Sequence, residues 1–102
     1  MPIYRGYRYQ ESGNLVVTKD GKPLSPAPSQ KVCNHSPDGF QWGYGGSGPA
    51  QLALALLLDV TGNAELSGRL HQRFKRHFVA AWGEKWQIRK EDIEMWIEKQ
   101  PS

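Results

Sequence analysis

A chain of 102 residues with 23% charged and 38% hydrophobic side chains has the composition of one ordinary globular domain. Its net charge of +3 is too mild to mark a nucleic-acid binder by itself. Cys33 is the sole cysteine, which excludes an intramolecular disulfide and a multi-cysteine zinc site and fits a reducing, cytoplasmic setting.

The N-terminal part reads as strands. Ile3–Tyr9 is rich in aromatics, and Leu15–Thr18 carries β-branched residues suited to a pleated sheet. Ser12-Gly13-Asn14 forms a turn between them, and Asp20-Gly21 is a two-residue hairpin signal. Lys22-Pro23-Leu24 begins the return limb, which Pro23 confines to a sheet edge. Residues 25–29 read as an extended loop. Residues 31–34 and 39–42 read as short strands around the Ser36-Pro37-Asp38-Gly39 turn.

Residues 43–51 hold the densest signal. Gly43, Gly45, Gly46 and Gly48 surround Tyr44 and Ser47, and Trp42 precedes them. Pro49 stands where a first helical residue is favoured, and a wholly apolar helix to about Val60 follows. Glycines permit tight turns and close approach, and a helix start presents unpaired N–H groups with partial positive charge. Ala50 and Gln51 offer their N–H groups, Ser47 is placed to cap the end, and Trp42 and Tyr44 supply a stacking wall. The loop is therefore a cradle for a small anionic or nucleotide-like ligand, with His35 and Ser36 close by in sequence. Literal motif matches fail on context. Gly43–Gly48 fits G-x-G-x-x-G, but a second helix follows where a dinucleotide fold needs a parallel strand. Pro49 replaces the phosphate-loop lysine, and Ser47 misses the serine-nucleophile elbow by one position.

The remainder is helical. Thr61-Gly62 ends the apolar helix and Asn63 caps the next, over 64–82. Leu66, Leu70, Phe74, Phe78 and Trp82 form its buried stripe, with His77 near it and half-buried. Arg69, Arg73 and Arg76, joined by Lys75, form a basic face. His71 and His77 are six apart, so they make no metal pair on one helix face. Trp86-Gln87-Ile88 is a short extended piece. A last helix runs over 90–100, with Ile93, Trp96 and Ile97 facing the core. Leu52–Leu58 is too short to span a bilayer, and Met1–Arg5 carries no apolar signal region.

His35 through Leu57, with the core Trp42-Gly43-Tyr44-Gly45-Gly46-Ser47-Gly48-Pro49-Ala50-Gln51, resembles the signature of a small uncharacterised bacterial family. Tyr4, Gly6, the Asp20–Leu24 turn, Arg73-Phe74-Lys75 and the Trp-containing last helix extend the resemblance over nearly the whole chain. The resemblance implies a habitat in bacteria, phages and plasmids, and with it a defence or counter-defence accessory role. It implies no chemistry.

The expected fold is α+β: one domain in which a small antiparallel sheet from residues 1–42 packs on three helices, joined by the 43–51 loop. The expected function is a non-enzymatic module whose ligand site comprises His35, Ser36, Trp42, Tyr44, Gly45, Gly46, Ser47 and Gln51. Arg69, Arg73 and Arg76 form a separate basic surface. No cofactor, metal or membrane is expected, and nucleic acid ranks below a protein partner. One alternative is a protein-interaction or inhibitor domain using the aromatic and basic surface. Another is a small enzyme in which His35 serves as base for Ser36 or Ser47, or for Cys33.

Overall fold

A computed structural model describes residues 2–101. The fold is α+β and forms two compact units, Met1–Leu24 with Glu84–Ser102, and Ser25–Gly83.

The first unit is a four-stranded antiparallel sheet and one helix. Its strands are β1 (Ile3–Arg8), β2 (Leu15–Lys19), β3 (Lys22–Pro23) and β4 (Lys85–Arg89), in the order β3-β2-β1-β4. Asp20 and Gly21 both adopt positive φ, 52° and 83°, which closes the tight β2–β3 hairpin. Pro23 lies on the edge strand, where its missing N–H costs no ladder bond. The 86–88 piece becomes β4 and pairs with β1, so residues far apart in sequence share this sheet. Gly6 faces Trp86 across that pair, and a Cβ at residue 6 would collide with the indole ring. Directly after β4 comes the helix Lys90–Glu98. The Asp92 carboxylate accepts from the Arg89 backbone N–H at 3.1 Å and from its guanidinium at 2.9 Å. That pairing holds the Asp92 carboxyl below the usual carboxylate range.

The second unit is helical. It contains α1 (Ala27–Val32), α2 (Ser47–Thr61), α3 (Ala64–His77) and a single 3-10 turn over Val79–Ala81; the helix after β4 is α4. Ten consecutive residues of α2, Gly48 through Leu57, are buried, as its all-round apolar sequence predicts. Gly62 ends α2 at φ 64°, and the Asn63 side chain caps α3 by accepting from the Leu66 N–H at 3.0 Å.

Three expectations are corrected here. Residues 27–32 form α1 rather than loop and strand. Pro28 suits a first turn, the Ser25 hydroxyl accepts from the Ala27 N–H at 3.1 Å, and the Ser29 hydroxyl donates to the Pro26 carbonyl at 2.7 Å. Residues 39–42 form no strand. The helix expected over 64–82 stops at His77, and a 3-10 turn replaces its last residues, with the Ala81 N–H on the Phe78 carbonyl at 3.1 Å and the Trp82 N–H on the Val79 carbonyl at 3.3 Å. The Gly43 N–H donates to the Val79 carbonyl at 3.0 Å, and the Trp42 indole N–H donates to the Gly83 carbonyl at 2.6 Å. Gly43 itself sits at φ 86° with the Trp82 carbonyl 3.0 Å from where a Cβ would stand.

Candidate functional site

All the candidate residues lie in the Ser25–Gly83 unit, those of the expected ligand site around the start of α2 and the arginines on α3. Gln51, on the second turn of α2, is 0% exposed. Its Oε1 accepts from the backbone N–H groups of His35 (2.7 Å) and Ser36 (3.0 Å). Its Nε2 donates to the Ser29 hydroxyl (2.9 Å) and the Cys33 carbonyl (3.1 Å). All four hydrogen-bonding positions of the amide are thereby used. Gln51 staples α1 and the 33–36 loop to α2, and nothing of it faces outward. The Ser36 carbonyl accepts from the Gln30 side chain at 2.8 Å.

Trp42 is 2% exposed and its N–H is committed to Gly83. It is a core anchor, so the stacking role expected of it is withdrawn. Tyr44 is different, with 47% of its surface open. Its hydroxyl bonds the Gln41 side-chain carbonyl, and its ring lies over Gly46, where a Cβ would meet it. Gly45 and Ser47 are exposed.

The helix start also departs from expectation. Gly46 is the residue before the helix, Ser47 opens it, and no side chain caps it. Pro49 is therefore third rather than first. The Ala50 N–H, expected to be open, donates to the Gly46 carbonyl at 3.1 Å. The N–H groups ahead of that bond are those of Ser47 and Gly48. Gly48 is buried, and a Cβ there would stand 2.6 Å from the Gln41 side chain. The first turn of α2 carries no acidic residue.

On α3, Arg69, Arg73 and Arg76 are exposed along one stripe, as the 3.6-residue period predicts. Lys75 leaves that stripe and shares a flank with His71, four residues earlier. Its ammonium donates to the Gly45 carbonyl at 3.3 Å, so Lys75 reaches the glycine-rich loop. His77, expected to be half-buried, lies open to solvent, edge-on to Phe78 at 4.5 Å between ring centroids, whereas His71 is 7% exposed. His71 Nδ1 lies 2.7 Å from the Gly68 carbonyl, and its Nε2 lies 2.9 Å from Nε2 of His35. Nδ1 of His35 lies 3.9 Å from Cys33 Sγ. Burial pushes His71 below the ordinary imidazole range, and the neighbouring His35 and Lys75 act the same way. The Gly68 and Ser67 carbonyls oppose them.

Sequence reasoning missed Lys75 as a loop partner and His71 as the partner of His35. The i, i+4 spacing of those two residues was the available signal, but it named no target. The G-x-G-x-x-G match lacks its fold, since α2 runs into α3 and every strand pair is antiparallel. Among the described residues, no group of three or more His, Cys, Asp or Glu is arranged to hold a metal ion. No helix among them is long and apolar enough to cross a membrane.

The chain belongs to the family of unknown function DUF6166, whose sequence profile matches residues 4–99. No curated protein and no solved structure matches it.

Proposed function

We propose that this protein is a small binding module that captures an anionic, nucleotide-like ligand on the Tyr44–Ser47 segment. The observation that carries the reading is Lys75. Its ammonium rests on the Gly45 carbonyl, 3.3 Å away, beside a helix start that holds no carboxylate in its first turn. A lysine and the positive end of a helix repel one another weakly unless an anion lies between them. The exposed Ser47 hydroxyl and the Ser47 N–H add donors for such an anion. Tyr44 presents an open aromatic ring on the same segment, suited to a base. Gly45, with no atom within 4 Å of where a Cβ would stand, leaves room for close approach. His35, Ser36 and Gln51 enter this reading as the frame of the neighbouring loop, through the backbone bonds that Gln51 makes.

Isothermal calorimetry with inorganic phosphate, AMP and adenosine tests it. AMP should bind more tightly than phosphate, and adenosine should bind least. Lys75→Ala should weaken AMP and phosphate binding alike by about tenfold, or about 1.4 kcal/mol. Tyr44→Ala should weaken AMP alone. Equal affinities for wild type and Lys75→Ala, or no heat with either anion, would overturn the reading.

A further inference from the structure

The proton positions along the histidine pair follow from their partners. A carbonyl oxygen only accepts, so the 2.7 Å contact with Gly68 puts the proton of neutral His71 on Nδ1. Its Nε2 is then a lone pair, facing Nε2 of His35 at 2.9 Å. Two lone pairs do not approach so closely, so His35 carries its proton on Nε2 and donates it to His71. That leaves Nδ1 of His35 as a lone pair, 3.9 Å from the sulfur of the exposed Cys33. We propose that Cys33 is a nucleophilic thiol and a site of reversible S-thiolation, with His35 as its proton acceptor and His71 as the residue that positions His35.

The assignment does not depend on the anion site. When the Cys33 proton moves to Nδ1, both N–H groups of the resulting imidazolium have partners, the thiolate and Nε2 of His71. His71 then fills the orienting role of the third member in nucleophile–base triads. It suits that role because burial keeps it neutral and accepting. The other groups around the pair are Lys75, on the His71 flank, and the Gln51 amide, which fixes the His35 backbone at 2.7 Å.

The surroundings also select the substrate class. Acyl transfer needs N–H donors for a developing oxyanion. Three of the four N–H groups of the 33–36 loop are committed: those of His35 and Ser36 bond Gln51, and that of Cys33 bonds the Ser29 carbonyl at 3.0 Å, which leaves the Asn34 N–H as a single donor where an oxyanion hole takes at least two. Thiol–disulfide exchange needs no such donors, because the charge stays on sulfur. The Cys33 thiolate attacks one sulfur of a small disulfide, a new S–S bond forms, and the old one breaks. The departing thiolate takes the proton from His35 Nδ1. One thiol and one disulfide become one mixed disulfide and one thiol. With no second cysteine in the chain, the adduct persists until an external thiol reverses the exchange.

The test is the rate at which the full chain acquires a glutathione adduct from oxidised glutathione, read by intact mass at pH 7 and pH 9. Wild type should slow less than about fivefold from pH 9 to pH 7, whereas an ordinary thiol of pKa about 8.5 slows about 25-fold. Cys33→Ser should form no adduct. His35→Phe should lower the pH 7 rate about tenfold and the pH 9 rate far less, since an ordinary thiol is already mostly ionised there. His71→Phe should shift the profile in the same direction, and His71→Gln, which keeps an acceptor, should restore most of it. A wild-type rate that falls about 25-fold between the two pH values overturns the proposal. That comparison needs no variant to fold. A His35→Phe profile identical to wild type overturns it as well.

Discussion

Two loops bring the chain to α2, and they are built differently. The 33–36 loop is held by one buried amide, Gln51, which takes two of its N–H groups and one of its carbonyls. The 43–47 loop is tied at its start, through Trp42 and Gly43, to the 79–83 turn. From Tyr44 to Ser47 it is largely exposed, with Lys75 reaching in from α3. A buried polar network that closes on itself is architecture. Exposed donors beside a cation are available to a ligand. The first loop still has one outlet, since the His35 ring points away from Gln51 toward His71 and Cys33.

The largest expected effect tests the closed network. Gln51→Leu should cost about 3–5 kcal/mol, because each buried group it abandons is worth about 1–3 kcal/mol. Leu54→Ala, fully buried one turn later, should cost a similar 2–5 kcal/mol or so and provides the yardstick. Urea denaturation measures both. A cost for Gln51→Leu below about 1 kcal/mol would mean that water replaces the amide and the loop is not locked.

A smaller effect concerns pH. His71 is held below its unfolded imidazole value, so between those two values the unfolded chain binds the extra proton. Its contribution is complete above about pH 6.5 and is lost as pH falls through that range. Melting temperature should drop on acidification from neutral, and His71→Gln should remove that part of the drop. An unchanged slope in the variant would assign the acid sensitivity elsewhere.

The open loop should tolerate change. Ser47→Ala removes no cap, so it should alter stability by less than about 0.5 kcal/mol while weakening phosphate binding. Gly46→Val should displace the Tyr44 ring, costing AMP affinity more than phosphate affinity. Charge reversal at Arg69 or Arg76, exposed on the far stripe, should leave stability within about 0.5 kcal/mol and anion binding unchanged. Loss of binding on reversal at Arg69 or Arg76 would move the site from the loop to the arginine face.

Local chemistry made much of the fold legible. Asp20-Gly21 named its hairpin, Pro23 its edge, Asn63 its cap, and the unbroken apolar run its buried helix. What escaped depends on partners distant in sequence. Pro28 and Ser25 suit a helix start but make only a short helix, and the buried Ser29 of α1 is held by a glutamine 22 positions away. The contacts that tie the 79–83 turn come from Trp42 and Gly43, far upstream. The site was legible in part for the same reason. The glycines, Tyr44 and Ser47 declared an open loop, while Gln51 and Trp42 drew attention by their place in the motif and proved to be its supports. Charge spacing grouped Lys75 with the arginines, and only the turn of α3 separates it from them.

The most direct measurement is an amide NMR titration of the wild-type protein with inorganic phosphate. Saturable shifts are expected at Gly45, Gly46 and Ser47, with His35 and Ser36 nearly still because Gln51 holds their N–H groups. Shifts centred on Arg69, Arg73 and Arg76, or none within the loop, would contradict anion capture by the loop.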